Sequence, residues 1–89
     1  MKEVELVVRN EMGIHIRSAS KLSKVASRFQ SEVYVAYGGV EVNAKSVLGV
    51  IGLAAEAGAV IKVKADGADE DAVLAAIREL VDGRFDGEP

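Results

Sequence analysis

The sequence predicts an α+β fold, an open-faced sandwich whose four-stranded, mainly antiparallel sheet carries three helices on one face in the order βαββαβα. Three observations predict it. Short runs with a period of two alternate with longer runs whose apolar residues recur every three or four positions. A Gly38-Gly39 pair joins two β-branched runs as a hairpin. The 89 residues show no repeat and no linker, and are too few for two independent cores. One domain over 1–83 is expected, with 84–89 as a flexible tail.

Residues Glu3 to Val8 alternate acid and apolar and then turn continuously apolar, as a strand does. Asn10-Glu11-Met12-Gly13 breaks it. From Ser18 to Phe29 the positions Ala19, Leu22, Val25, Ala26 and Phe29 form one buried helical stripe, with Lys21, Lys24 and Arg28 on the wet side. Val33 to Tyr37 and Val40 to Asn43 are the hairpin strands. Ser46 precedes the apolar run Val47 to Ala55, where its hydroxyl suits a helix cap. Gly49 and Gly52 keep that helix short. Val60 to Ala65 alternates, with Ile61, Val63 and Ala65 on one face and lysines on the other. The last helix begins near Asp69-Glu70-Asp71, acids suited to a positive dipole end, buries Val73, Ala76, Ile77, Leu80 and Val81, and stops at Gly83.

Composition narrows the chemistry. With no cysteine and one histidine, thiolate zinc sites, disulfides and cysteine nucleophiles are excluded, and no metal or cofactor is expected. No apolar run is long enough to span a membrane, and Met1-Lys2-Glu3-Val4-Glu5 is unlike a secretory signal, so a soluble, cytoplasmic monomer is expected. The net charge of -3 is unevenly spread: Arg9, Arg17, Lys21, Lys24 and Arg28 stand against Glu11 alone, whereas the stretch from Glu56 onward is acidic. These are either two solvated faces or a basic face that steers acidic partners.

The only histidine, His15, lies in Gly13-Ile14-His15-Ile16-Arg17, just before the first helical stripe. A helix start offers free backbone N–H groups and a positive dipole end, which favour an attached anion. An imidazole there, with a guanidinium two residues on, suits a phosphoryl group; an ordinary loop histidine near a cap fits the same string. Ser46, between Lys45 and Val47-Leu48, is by itself a cap.

Together, Gly13-x-His15-x-Arg17 and Lys45-Ser46-Val47-Leu48 resemble the HPr family, the histidine-containing phosphocarriers of the bacterial phosphoenolpyruvate-dependent sugar phosphotransferase system. The resemblance runs from the first strand to Gly83, and is strongest from Gly39 to Ala54. Two positions depart from it. Ile16 stands where the family has a small residue, and Ser18 where it has proline, whose φ restraint a serine cap or a serine contact to a phosphate oxygen would replace.

The resemblance implies a carrier that is not itself an enzyme. His15 would take the phosphoryl group on Nδ1 from enzyme I and pass it to the A domain of a sugar permease. Backbone N–H groups of Ile16 and Arg17 and the Arg17 side chain would hold its oxygens. Ser46 would be a regulatory phosphorylation site for HPr kinase/phosphorylase, with a transcriptional regulator as a further partner. Ser20, Lys24, Val47, Leu48 and Ile51 would meet partners, while Val50, Leu53 and Ala54 face inward. The second reading is an HPr-like regulatory paralogue in a nitrogen-related or signalling phosphorelay. RNA binding is disfavoured: Tyr34 and Tyr37 fall on opposite faces of one strand, and the chain is acidic.

Overall fold

The computed structural model describes residues 1–89. Its elements are β1 (Lys2–Val7), α1 (Ile16–Ser27), β2 (Glu32–Tyr37), β3 (Val40–Asn43), α2 (Val47–Gly52), β4 (Val60–Asp66), α3 (Glu70–Asp82) and a last turn, α4 (Arg84–Gly87). The strands form one sheet in the order β1-β4-β2-β3, every neighbouring pair antiparallel. This is the open-faced sandwich expected. β4 slots between β1 and β2, which run parallel to each other, so the chain needs α1 to carry it from one to the other.

Register makes the two faces of the sheet. Leu6 opposes Ile61, and Val35 lies between Val63 and Val42, so one face is apolar and turned to the helices. Glu3 opposes Lys64 and Glu5 opposes Lys62 on the other face, which stays wet. Tyr34 lies on that outer face beside Lys64 and Tyr37 packs toward the core, as their odd spacing requires. The helices add Ala19, Leu22 and Ala26 from α1, Val50 from α2, and Val73, Leu74, Ile77, Leu80 and Val81 from α3. Burying each Leu or Ile contributes about 1.5–3 kcal/mol. Val25, Phe29 and Ala76 reach only the rim and are half-buried.

Two further expectations need correction. Ala54 does not face inward: α2 stops at Gly52, and Ala54 takes a left-handed conformation (φ 54°) with its methyl in solvent. The segment 84–89 is not a frayed tail. Arg84, Phe85 and Asp86 all have φ between 53° and 60°, and Gly87 has 88°, so α4 winds left-handed. That hand costs about 1–2 kcal/mol per residue with a side chain. The offset is visible: Phe85 is fully buried, and Lys21 Nζ donates to its carbonyl at 2.9 Å. Glu88 then returns to extended backbone, as a residue before proline does, and Pro89 O accepts from Met12 N–H at 3.2 Å and Asn10 Nδ2 at 3.0 Å.

Candidate functional site

The site begins with a backbone constraint. Gly13 has φ 69°, and a Cβ there would lie 2.5 Å from Ala55 O, so only glycine lets the loop after β1 settle against the loop after α2. Ile14 N–H donates to Ala55 O at 2.8 Å and fixes that approach. His15 therefore enters α1 at a set angle.

His15 is the N-cap of α1, in extended conformation. The helix starts at Ile16, earlier than the apolar stripe signals, because capping is reciprocal. Ser18 Oγ accepts from His15 N–H at 2.8 Å, and His15 Nδ1 accepts from Arg17 N–H at 3.3 Å. Ser18 is wholly buried, with its hydroxyl turned to the carbonyl oxygens of His15 and Gly13. Its side chain acts here as a cap.

The bond to Nδ1 has a chemical consequence. An amide N–H donates to a lone pair, so this bond favours the neutral tautomer whose proton is on Nε2. Nδ1 then carries the ring's lone pair, beside the free amides of a helix start. The imidazole is 19% exposed.

Nε2 faces Glu88, a residue the sequence analysis missed. Its carboxylate is 11% exposed and sits 2.7 Å from Lys21 Nζ, 3.8 Å from His15 Nε2 and 4.0 Å from an Arg17 guanidinium nitrogen. The Lys21 hydrogen bond first, then the charges of Lys21, Arg17 and His15, hold it below the usual carboxylate range against the cost of burial. The acid that balances this basic cluster thus arrives from the far end of the chain. Phe85, the lone large apolar residue after Gly83, was the available signal that the segment docks.

The other sequence-selected residues lie around this centre. Ser46 caps α2, its Oγ accepting from Gly49 N–H at 3.1 Å, and is exposed. Leu48 is 83% exposed, Val47 and Ile51 are half-buried against the core, and Val50 and Leu53 are buried. Ser20 is half-buried, Lys24 exposed, and Arg17 reaches into solvent. Lys45 is less free than its sequence position implies, since Nζ donates to Phe29 O at 3.0 Å. Packing of α1 on α2 puts two exposed apolar side chains, Ile16 and Leu48, at the starts of neighbouring helices. Met12, also exposed, adds a third in the loop before His15.

The family described as "PTS HPr component phosphorylation site" matches residues 2–82. Phosphocarrier protein HPr of Xylella fastidiosa (strain 9a5c) is 47% identical over 85 residues, covering 96% of both chains. The crystal structure of HPr-C-His from Thermoanaerobacter tengcongensis superposes with a TM-score of 0.94 at 36% identity, covering 100% of each chain. A crystal structure of an HPr dimer from the same organism superposes with a TM-score of 0.78 at 38% identity, over 99% of this chain and 100% of that one.

Proposed function

From its membership of the HPr family, the phosphocarriers of the phosphotransferase system, we propose that this chain takes a phosphoryl group on His15 Nδ1 from phosphorylated enzyme I and passes it to the A domain of a sugar permease. The protein is a carrier and not a catalyst. One observation supports the choice of atom: Arg17 N–H donates to Nδ1 and so leaves the ring's lone pair there.

In the transfer, the Nδ1 lone pair attacks phosphorus while the donor's bond to phosphorus breaks and its electron pair returns to the donor. Arg17 N–H loses its nitrogen acceptor and gains a phosphoryl oxygen in its place. The Ile16 amide, which has no partner within the helix, supplies a second donor, and the solvent-facing Arg17 guanidinium adds charge. The two amides are fixed by the helix start before the reaction, so the backbone reorganises little, and only the Arg17 side chain has to swing in.

Leu48, Ile51 and Val47, rimmed by Ser20, Lys24 and Arg17, are the proposed docking surface, an apolar centre with a basic edge. Ser46 is the proposed regulatory site. Its exposed hydroxyl is open to HPr kinase/phosphorylase, and a phosphate there meets a helix start and would repel acidic partners without unfolding α2. A transcriptional regulator that reads this mark is the corresponding partner. No helix is long and apolar enough to cross a membrane, and action in the cytoplasm as a monomer completes the reading. Sedimentation at working concentration tests the monomer.

The exposed side chain of Ile16 beside His15 favours a second reading, service in a nitrogen-related or signalling phosphorelay. One experiment addresses both. Incubation with phosphoenolpyruvate and the host's enzyme I should add an acid-labile phosphoryl group, and a panel of A-domain acceptors should draw it off. Label that survives His15→Asn rules out His15; transfer only to non-sugar acceptors selects the second reading.

A further inference from the structure

Two buried polar atoms in this molecule lack any hydrogen-bond partner while facing each other across 3.8 Å: His15 Nε2 and Glu88 Oε1. Such pairs are costly to leave open, since each atom has lost its water. The rest of Glu88 is firmly held. Oε2 is anchored on Lys21 Nζ, Lys21 is itself bonded to Phe85 O, and the left-handed turn fixes the residues between. Oε1 is the one oxygen of this carboxylate left aimed at the imidazole.

We infer that Glu88 is a positioning residue for His15, holding the ring proton on Nε2 and closing onto that N–H as positive charge develops in the ring during phosphoryl transfer. The inference rests on the proposed transfer to Nδ1. When Nδ1 forms its bond to phosphorus, the Nε2 proton stays on the ring, the donor keeps the electron pair of the bond that breaks, and the imidazole gains cationic character. A carboxylate poised beyond hydrogen-bond distance from the neutral ring then becomes a charge-assisted acceptor for the charged one.

The charges around the ring are consistent with this role. Arg17, Lys21 and Glu88 are the ionised groups facing it, and they come from α1 and the segment after α4. Lys21 neutralises Glu88 in the resting protein, which limits repulsion of an incoming phosphoryl group. Arg17, at 4.0 Å and with a largely exposed side chain, can leave Glu88 for the phosphoryl oxygens while Lys21 stays. Glu88 thus acts on the nitrogen opposite the one that reacts.

The test uses the full chain, enzyme I and phosphoenolpyruvate, with wild type, Glu88→Gln and Glu88→Asp compared side by side. Glu88→Gln keeps the shape and removes the charge. It should slow His15 phosphorylation about tenfold, the effect of losing one charge-assisted hydrogen bond. Labelled-nitrogen NMR of the neutral ring should show the Nε2–H form in wild type and a drift toward the Nδ1–H form in Glu88→Gln. Glu88→Asp, which keeps the charge, should recover part of both. Unchanged nitrogen signals in Glu88→Gln, or a rate within twofold of wild type, would overturn the inference. Equal slowing in both variants would too, because it would reduce Glu88 to holding the turn in place. If wild type itself takes no label on His15, the proposed function fails instead, and the nitrogen signals still decide whether Glu88 sets the ring's proton.

Discussion

The starts of α1 and α2 are built alike and equipped differently. Each helix is capped by a side chain that accepts a backbone N–H: Nδ1 of His15 from Arg17, Oγ of Ser46 from Gly49. At His15 the cap is surrounded by a buried serine, two basic side chains and a carboxylate brought from the end of the sequence. At Ser46 there is an exposed hydroxyl on a six-residue helix, with no ion pair at it. Cap geometry is therefore common to both, and the difference lies in the charged groups the fold brings to the first. His15 offers a ring lone pair beside several donors; Ser46 offers a hydroxyl held by one amide.

The sharpest way to break this comparison is His15→Asn, which keeps a good N-cap while removing the nucleophile. Labelling from enzyme I should disappear with the helical signal unchanged, as intact mass and circular dichroism would show. Phe85→Ala attacks the segment that equips only the first cap. It should cost about 3–5 kcal/mol in urea unfolding, the range for emptying a fully buried phenylalanine site. An effect below about 1 kcal/mol would mean that the turn after Gly83 is not docked. Ser46→Ala removes the second cap's only special interaction and should cost about 1 kcal/mol without altering His15 labelling.

A pH series tests the carboxylate at the first cap, with Asp69 before α3 as a reference group outside both caps. Glu88 and Asp69 both have their carboxyls held below their ordinary values of 4.5 and 3.8. Asp69 owes this to Ser31 Oγ first, then to the Gln30 and Ser31 N–H groups, which it accepts at 2.8 and 2.9 Å. A group whose folded pKa is depressed stabilises the fold above its unfolded pKa and loses that contribution as the pH falls through the folded one. Urea midpoints should be flat above about pH 5 and decline as the pH drops through and below these ordinary values. Glu88→Gln and Asp69→Asn should each remove part of the slope. The smallest effect expected is from Lys24→Glu, a roughly two- to threefold slower association with enzyme I at low salt that vanishes at high salt.

The fold was largely legible because its elements are locally consistent. The stripe Ala19, Leu22, Ala26 and the alternation Ile61, Val63, Ala65 each specify a period, and Gly38-Gly39 marks the hairpin. What resisted was long-range or depended on cooperation between caps. The start of α1 lies before its apolar stripe because His15 and Ser18 cap each other, a contact invisible to periodicity. Ala54 belonged to an apolar run that the glycines of α2 end sooner than hydropathy implies. Glu88 was hidden more deeply. A polar segment after a helix-stopping glycine looks unstructured, and three consecutive left-handed residues with side chains are not something local propensity favours. The basic cluster Arg17, Lys21 looked unpaired in sequence for the same reason: its counter-charge lies more than sixty residues away.

The most direct test of the central claim is phosphorus–nitrogen coupling in NMR of the labelled protein after phosphorylation by enzyme I. The arrangement of Arg17 N–H and Glu88 about the ring requires phosphorus bonded to Nδ1 of His15, with the proton retained on Nε2. Phosphorus on Nε2, or on any other residue, would contradict it.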